Sequence, residues 1–143
     1  MNFYGQPRMK RSLHFRKDER GAAQVEFALT ILTVLVVVFM LMELCSAVYT
    51  YTVLSDAANE GLRYAIVHSS DPGFTTNVTN KVTTYAGNSA HDMSAMSVSV
   101  ATPDGSAPPG RVQITVSYPY VPYTIWMSSP PTMHAYAEGR MVY

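Results

Sequence analysis

Sixteen consecutive residues, Phe27 to Met42 (FALTILTVLVVVFMLM), carry no charge. No other feature limits the fold as strongly. Counted from Ala22, the apolar run is 21 residues, which as a helix is about 32 Å long at 1.5 Å per residue. That length crosses a hydrocarbon core of about 30 Å. Val34, Val36, Val37 and Val38 are poor helix formers in water, but in lipid the need to satisfy every backbone group enforces a helix. A secretory hydrophobic region is shorter, at about 7–15 residues.

Charge is distributed around this run. The 143 residues have a formal net charge of zero, yet residues 1–21 hold six Arg/Lys against two Asp/Glu, and the remainder hold four against eight. A basic head, an apolar run and a mildly acidic body describe a single-pass membrane protein. The positive-inside rule places the head in the cytoplasm and the body outside. Arg63, Lys81, Arg111 and Arg140 are scattered singly, so no track for nucleic-acid phosphates exists. The expected organisation is a basic cytoplasmic leader over 1–21, a transmembrane helix over 22–46 and an extracytoplasmic domain over 47–143.

The helix is expected to outlast the membrane. Val48, Tyr51, Leu54, Ala58, Leu62 and Ala65 recur at three- and four-residue steps, an amphipathic stripe. Glu60 and Arg63 are spaced for a weak surface pair, and SSDPG (69–73) ends the helix. A shorter helix follows, with Val78, Val82 and Tyr85 on one face and Gly87 at its end. The period then becomes two. Met96, Val98 and Val100 alternate with small residues, TPDGSAPPG forms a loop, and Val112, Ile114, Val116 and Tyr118 alternate in turn, the pattern of a hairpin. Prolines break YPYVPYTIWMSSPP, and Met133 to Tyr143 alternates again as a third strand. The expected fold class is α+β, pilin-like: a long N-terminal helix packed on a small antiparallel sheet.

Signals for chemistry are sparse. His14, His68, His91 and His134 lack metal-ligand spacing, Cys45 is the only cysteine, and no glycine-rich phosphate loop or nucleophile elbow occurs. We expect no enzymatic activity, no metal and no cofactor. Tyr49 and Tyr51 suit an interfacial aromatic belt, while the cluster from Tyr118 to Trp126 suits either packing or a contact surface.

Glu26 stands just inside the apolar run. RGAAQVEFAL (Arg20 to Leu29) resembles the N-terminus of type IV prepilins, and is most similar to the TadE-like pseudopilins of tight-adherence (Flp-type) pilus systems, with glycine, a small residue and then Val-Glu-Phe. AANEGLRYA (Ala57 to Ala65) resembles the family's Ala-x-x-Glu-Gly-x-Arg-Tyr-Ala region through Glu60, Gly61 and Arg63, and the closing AYAEGRMVY is similar to its last strand. The resemblance implies cleavage between Gly21 and Ala22 by a prepilin peptidase. It makes Glu26 the fifth mature residue, paired with an N-terminal amine during assembly. The partners it implies are the peptidase, other pilin or pseudopilin subunits, an inner-membrane assembly platform and membrane lipid.

Glu43, at the far end of the run, is not expected from that motif; an outer-interface position and pairing within an assembly are both open. Two other readings also stay open. One is an unprocessed bitopic anchor with an outer binding domain, and the other is a secreted protein cut after Ala47.

Overall fold

The computed structural model describes residues 19–89, 92–105, 107–123 and 131–142. The leader before Glu19, His91 and Trp126 lie outside them. The architecture is α+β, as the sequence patterns require: α1 (Glu19–Val67), α2 (Phe74–Gly87), β1 (Ser97–Ala101), β2 (Arg111–Pro119) and β3 (Thr132–Arg140). The chain divides into two compact units, residues 1–37 and 38–143.

The first unit contains the N-terminal part of α1. Its apolar side chains, from Val25 to Val37, are exposed. The helix is long and apolar enough to cross a membrane, and none of its most apolar window is buried. Its hydroxyls are satisfied within the helix: Thr30 and Thr33 donate to the carbonyls of Glu26 and Leu29, each at 2.9 Å. This back-bonding lets a threonine sit in an apolar helix without an unmet polar group.

The second unit is a helix-on-sheet core. The sheet runs β1-β2-β3, antiparallel throughout, with Val100 opposite Ile114 and Val116 opposite Ala135. β2, the central strand, buries Val112, Ile114, Val116 and Tyr118 on one face and turns Gln113, Thr115 and Ser117 outward. On β3, Ala135, Ala137 and Gly139 follow Met133 inward and are small. That allows α1 to come close: a β-carbon on Gly139 would lie 3.0 Å from Ile66 and 3.1 Å from Leu62. The chain end seals the helix terminus, since the Val142 N–H donates to the Ile66 carbonyl at 3.3 Å, one of the carbonyls a helix end leaves unmatched.

α1 stops where Ser69–Gly73 supplies turn chemistry, and Gly73 adopts φ +73°, a left-handed conformation that favours glycine. α2 then buries Phe74, Val78, Val82 and Ala86, one residue every helical turn. Tyr85, expected on that face, is exposed. The face follows a strict four-residue step, and Tyr85 is one position off it.

The inward stripe of α1 also differs from the expected one upstream of Leu54. Leu54, Ala58 and Ala65 are buried and Leu62 is half-buried, but Val48 and Tyr51 are 58% and 52% exposed. The inward positions there are Glu43, Ser46, Ala47 and Thr50. The reason is what they meet. Glu43 and Ser46 meet the hydroxyl of Tyr120, Ala47 packs against the core, and the buried Thr50 hydroxyl donates to the Ser46 carbonyl at 2.9 Å. Cys45 is free and exposed.

Candidate functional site

Gly21, Ala22 and Glu26 share one face of α1 with Val25, Leu29, Thr30 and Thr33, and together they line a shallow open groove. Both residues of the expected cleavage bond are helical. Among the described residues, a β-carbon at Gly21 would meet nothing within 4 Å, so their packing does not require glycine there. Glu26 is exposed, and among the described residues no ion pair involves it. It lies seven residues into α1, about two turns.

Glu60, Gly61 and Arg63 serve a different purpose. A β-carbon on Gly61 would collide with Val82 and lie 3.2 Å from Ile114 and 3.7 Å from Val78. Gly61 is therefore where α1, α2 and β2 converge, and only hydrogen fits. Next to it, Glu60 pairs with Arg63 at 3.8 Å, as its spacing requires, and also with Lys81 of α2 at 3.7 Å. These half-exposed pairs each contribute little, about 0–1 kcal/mol, but Glu60 bridges the two helices beside their closest approach. The stretch 60–63 is thus a packing junction.

A third cluster was not legible in the sequence. Glu43 Oε1 accepts a hydrogen bond from the Tyr120 hydroxyl at 2.6 Å, and Oε2 accepts one from the Tyr123 backbone N–H at 3.0 Å. The Ser46 hydroxyl also hydrogen-bonds Tyr120. Burial, and then the Glu43 carboxylate, raise the Tyr120 hydroxyl above the ordinary tyrosine range. This resolves part of the aromatic cluster. Tyr118 and Tyr120 are packing residues, buried with their hydroxyls matched, Tyr118 to the Asp92 carbonyl at 3.0 Å. Tyr123 is exposed. The only sequence signal was the oddity of a carboxylate at position 43.

The outer face of the sheet carries a charge network. Arg111 donates to both oxygens of Asp104, at 2.8 and 3.2 Å, and to Glu138 at 3.4 Å. Glu138 also accepts from Gln113 at 3.0 Å and from the Tyr136 hydroxyl. Asp104 is held below the usual carboxylate range chiefly by the Arg111 hydrogen bonds, and Glu138 by those from Tyr136 and Gln113. Ser117 Oγ and His134 Nδ1 pair at 2.9 Å. Among the described residues, no three His, Cys, Asp or Glu side chains gather as a metal site would need.

Comparison with known proteins returns the TadE-like protein family, whose model matches residues 21–63. That span is under a third of the chain and contains Gly21, Ala22, Glu26, Glu43, Glu60, Gly61 and Arg63, but not Lys81, Val82 or Ile114, which complete the packing junction. No curated protein and no solved structure matches.

Proposed function

With residues 21–63 matching the TadE-like family as the premise, we propose that the protein is a minor pilin, or pseudopilin, of a tight-adherence pilus. In this reading it resides in a bacterial inner membrane with its N-terminus cytoplasmic and its C-terminal domain outside. A prepilin peptidase cuts it between Gly21 and Ala22. The product joins other pilin subunits through the inner-membrane assembly platform and contributes to surface attachment. The protein acts by assembly rather than catalysis.

The observation that carries the reading is Glu26, an exposed carboxylate on an apolar helix with no ion pair among the described residues, four positions after Ala22. A lone charge in hydrocarbon costs about 2.5–3.5 kcal/mol on insertion scales. Cleavage supplies its counter-charge. The new α-amine of Ala22, with a pKa typically near 8 (~7.7–8.0), is largely protonated at neutral pH. It lies about one helical turn from Glu26 in the same chain, and it is equally available to the Glu26 of a neighbour. Cutting also places a helix N-terminus at Ala22, so that Glu26 becomes the first acidic group after its positive end. The open space around Gly21 fits a glycine retained for the approach of a protease backbone.

Mass spectrometry of the mature N-terminus tests the proposal. A chain starting at Ala22 supports it. An intact leader supports an unprocessed bitopic anchor, and a start at Val48 supports signal peptidase. Glu26→Ala is expected to leave cleavage largely intact and to reduce incorporation into pili; unaltered incorporation would remove the charge-pairing role.

A further inference from the structure

Glu43 is the first charge beyond the apolar run, yet it is half-buried. Its two carboxylate oxygens are both engaged by the segment that leaves β2, through the Tyr120 hydroxyl at 2.6 Å and the Tyr123 N–H at 3.0 Å, and its backbone carbonyl lies 3.4 Å from the same hydroxyl. These contacts fix residues 120–123 at one height on α1, immediately past Met42. At this height the helix exposes Phe39, Met40, Leu41, Met42 and Leu44. Tyr120 is buried, but its neighbours Val121 and Tyr123 are 69% and 75% exposed.

An exposed valine and tyrosine on a loop far from lipid would need no comment. Here they are tied to Glu43, the first charge after the uncharged run. That is the depth where hydrocarbon gives way to headgroups, and where tyrosine is enriched because its ring is apolar and its hydroxyl polar. The tie also explains how Glu43 is accommodated. A carboxylate at this boundary loses water on one side, and charge-assisted hydrogen bonds from two donors replace it.

We infer that residues Tyr120–Tyr123 form a second membrane contact, resting Val121 and Tyr123 on the lipid headgroup region where α1 leaves the bilayer, with Glu43 as the positioning residue that sets its depth. The inference rests on α1 being a membrane anchor. It does not depend on cleavage or on pilus assembly. The occupant is lipid, because the surface continues directly from the lipid-facing part of the helix.

The test uses the full chain with Trp126→Phe, so that Tyr123→Trp introduces the sole indole. The protein is reconstituted into vesicles of phosphatidylcholine and phosphatidylglycerol carrying a spin label just below the headgroup. A Tyr85→Trp variant in the same background reports an exposed site on α2. The indole at 123 is expected to emit to the blue of that at 85, to lose emission to the labelled lipid and to resist aqueous iodide. Adding Glu43→Ala should reverse all three, and Glu43→Gln, which keeps an acceptor for the Tyr120 hydroxyl, should restore them in part. Flotation with the vesicles but iodide quenching at 123 and no response to labelled lipid would overturn the inference alone. Protection from both quenchers, the sign of a protein partner, would also overturn it. Failure to float with the vesicles would overturn the anchor reading, and this inference with it.

Discussion

A β-carbon added at Gly61 has nowhere to go, since Val82 and Ile114 occupy the space. Gly61→Ala is therefore expected to destabilise the second unit by roughly 1–3 kcal/mol through overpacking, offset in part by about 1 kcal/mol of improved helix propensity. Thermal unfolding in detergent micelles, followed by circular dichroism, would show the loss. Gly21→Ala, with open space around it, should leave the melt unchanged or slightly raised, and a similar drop at both positions would refute the packing argument. Sequence reasoning identified Gly61 only through family resemblance. Its physical role depends on Val82 and Ile114, which α2 and β2 bring to it across the fold. The Glu60–Arg63 pair was legible because helical spacing dictates it. Glu60–Lys81 and Glu43–Tyr120 were not, because they join residues that only tertiary structure brings together, the second pair being 77 apart in sequence.

Among the elements, α1 was read correctly in extent and only in part in facing. Apolarity marked Leu54, Ala58 and Leu62, but it also drew in Val48 and Tyr51, because periodicity cannot tell a face covered by protein from one left exposed. Leu54→Ala removes a fully buried side chain and should cost about 2–5 kcal/mol. Val48→Ala, on the other face, should be nearly silent in the same unfolding assay; the reverse order would return the stripe to its expected position. The strands were the most legible elements, since two-residue alternation around a Pro/Gly loop leaves few options. The partners of Arg111 on the outer face were not. Asp104 and Glu138 both have carboxyls held below their ordinary values of 3.8 and 4.5. A depressed carboxylate adds stability above its unfolded value and loses it as the pH falls through the folded one. The midpoint in urea should accordingly be flat near neutrality and fall below about pH 4.5. Asp104→Asn should shrink that acid-side fall, and an unchanged slope would show that the exposed pair carries no net linkage.

At the scale of the whole molecule, the sequence conveyed the α+β class, a helix long and apolar enough to cross a membrane and the family segment because each rests on local pattern: an uncharged run, a change of period and two short motifs. What joins them is not local. The link from the end of the uncharged run of α1 to the loop after β2 runs through hydrogen bonds that composition does not encode. Cys45 adds a consequence for topology. It is the only cysteine, its thiol is exposed, and it lies two residues beyond Glu43. The chain thus contains a single-site handle just past its uncharged run, with no engineered label required. In sealed spheroplasts a membrane-impermeant maleimide should mark the protein at Cys45 without lysis, and labelling that appears only after lysis would invert the proposed orientation.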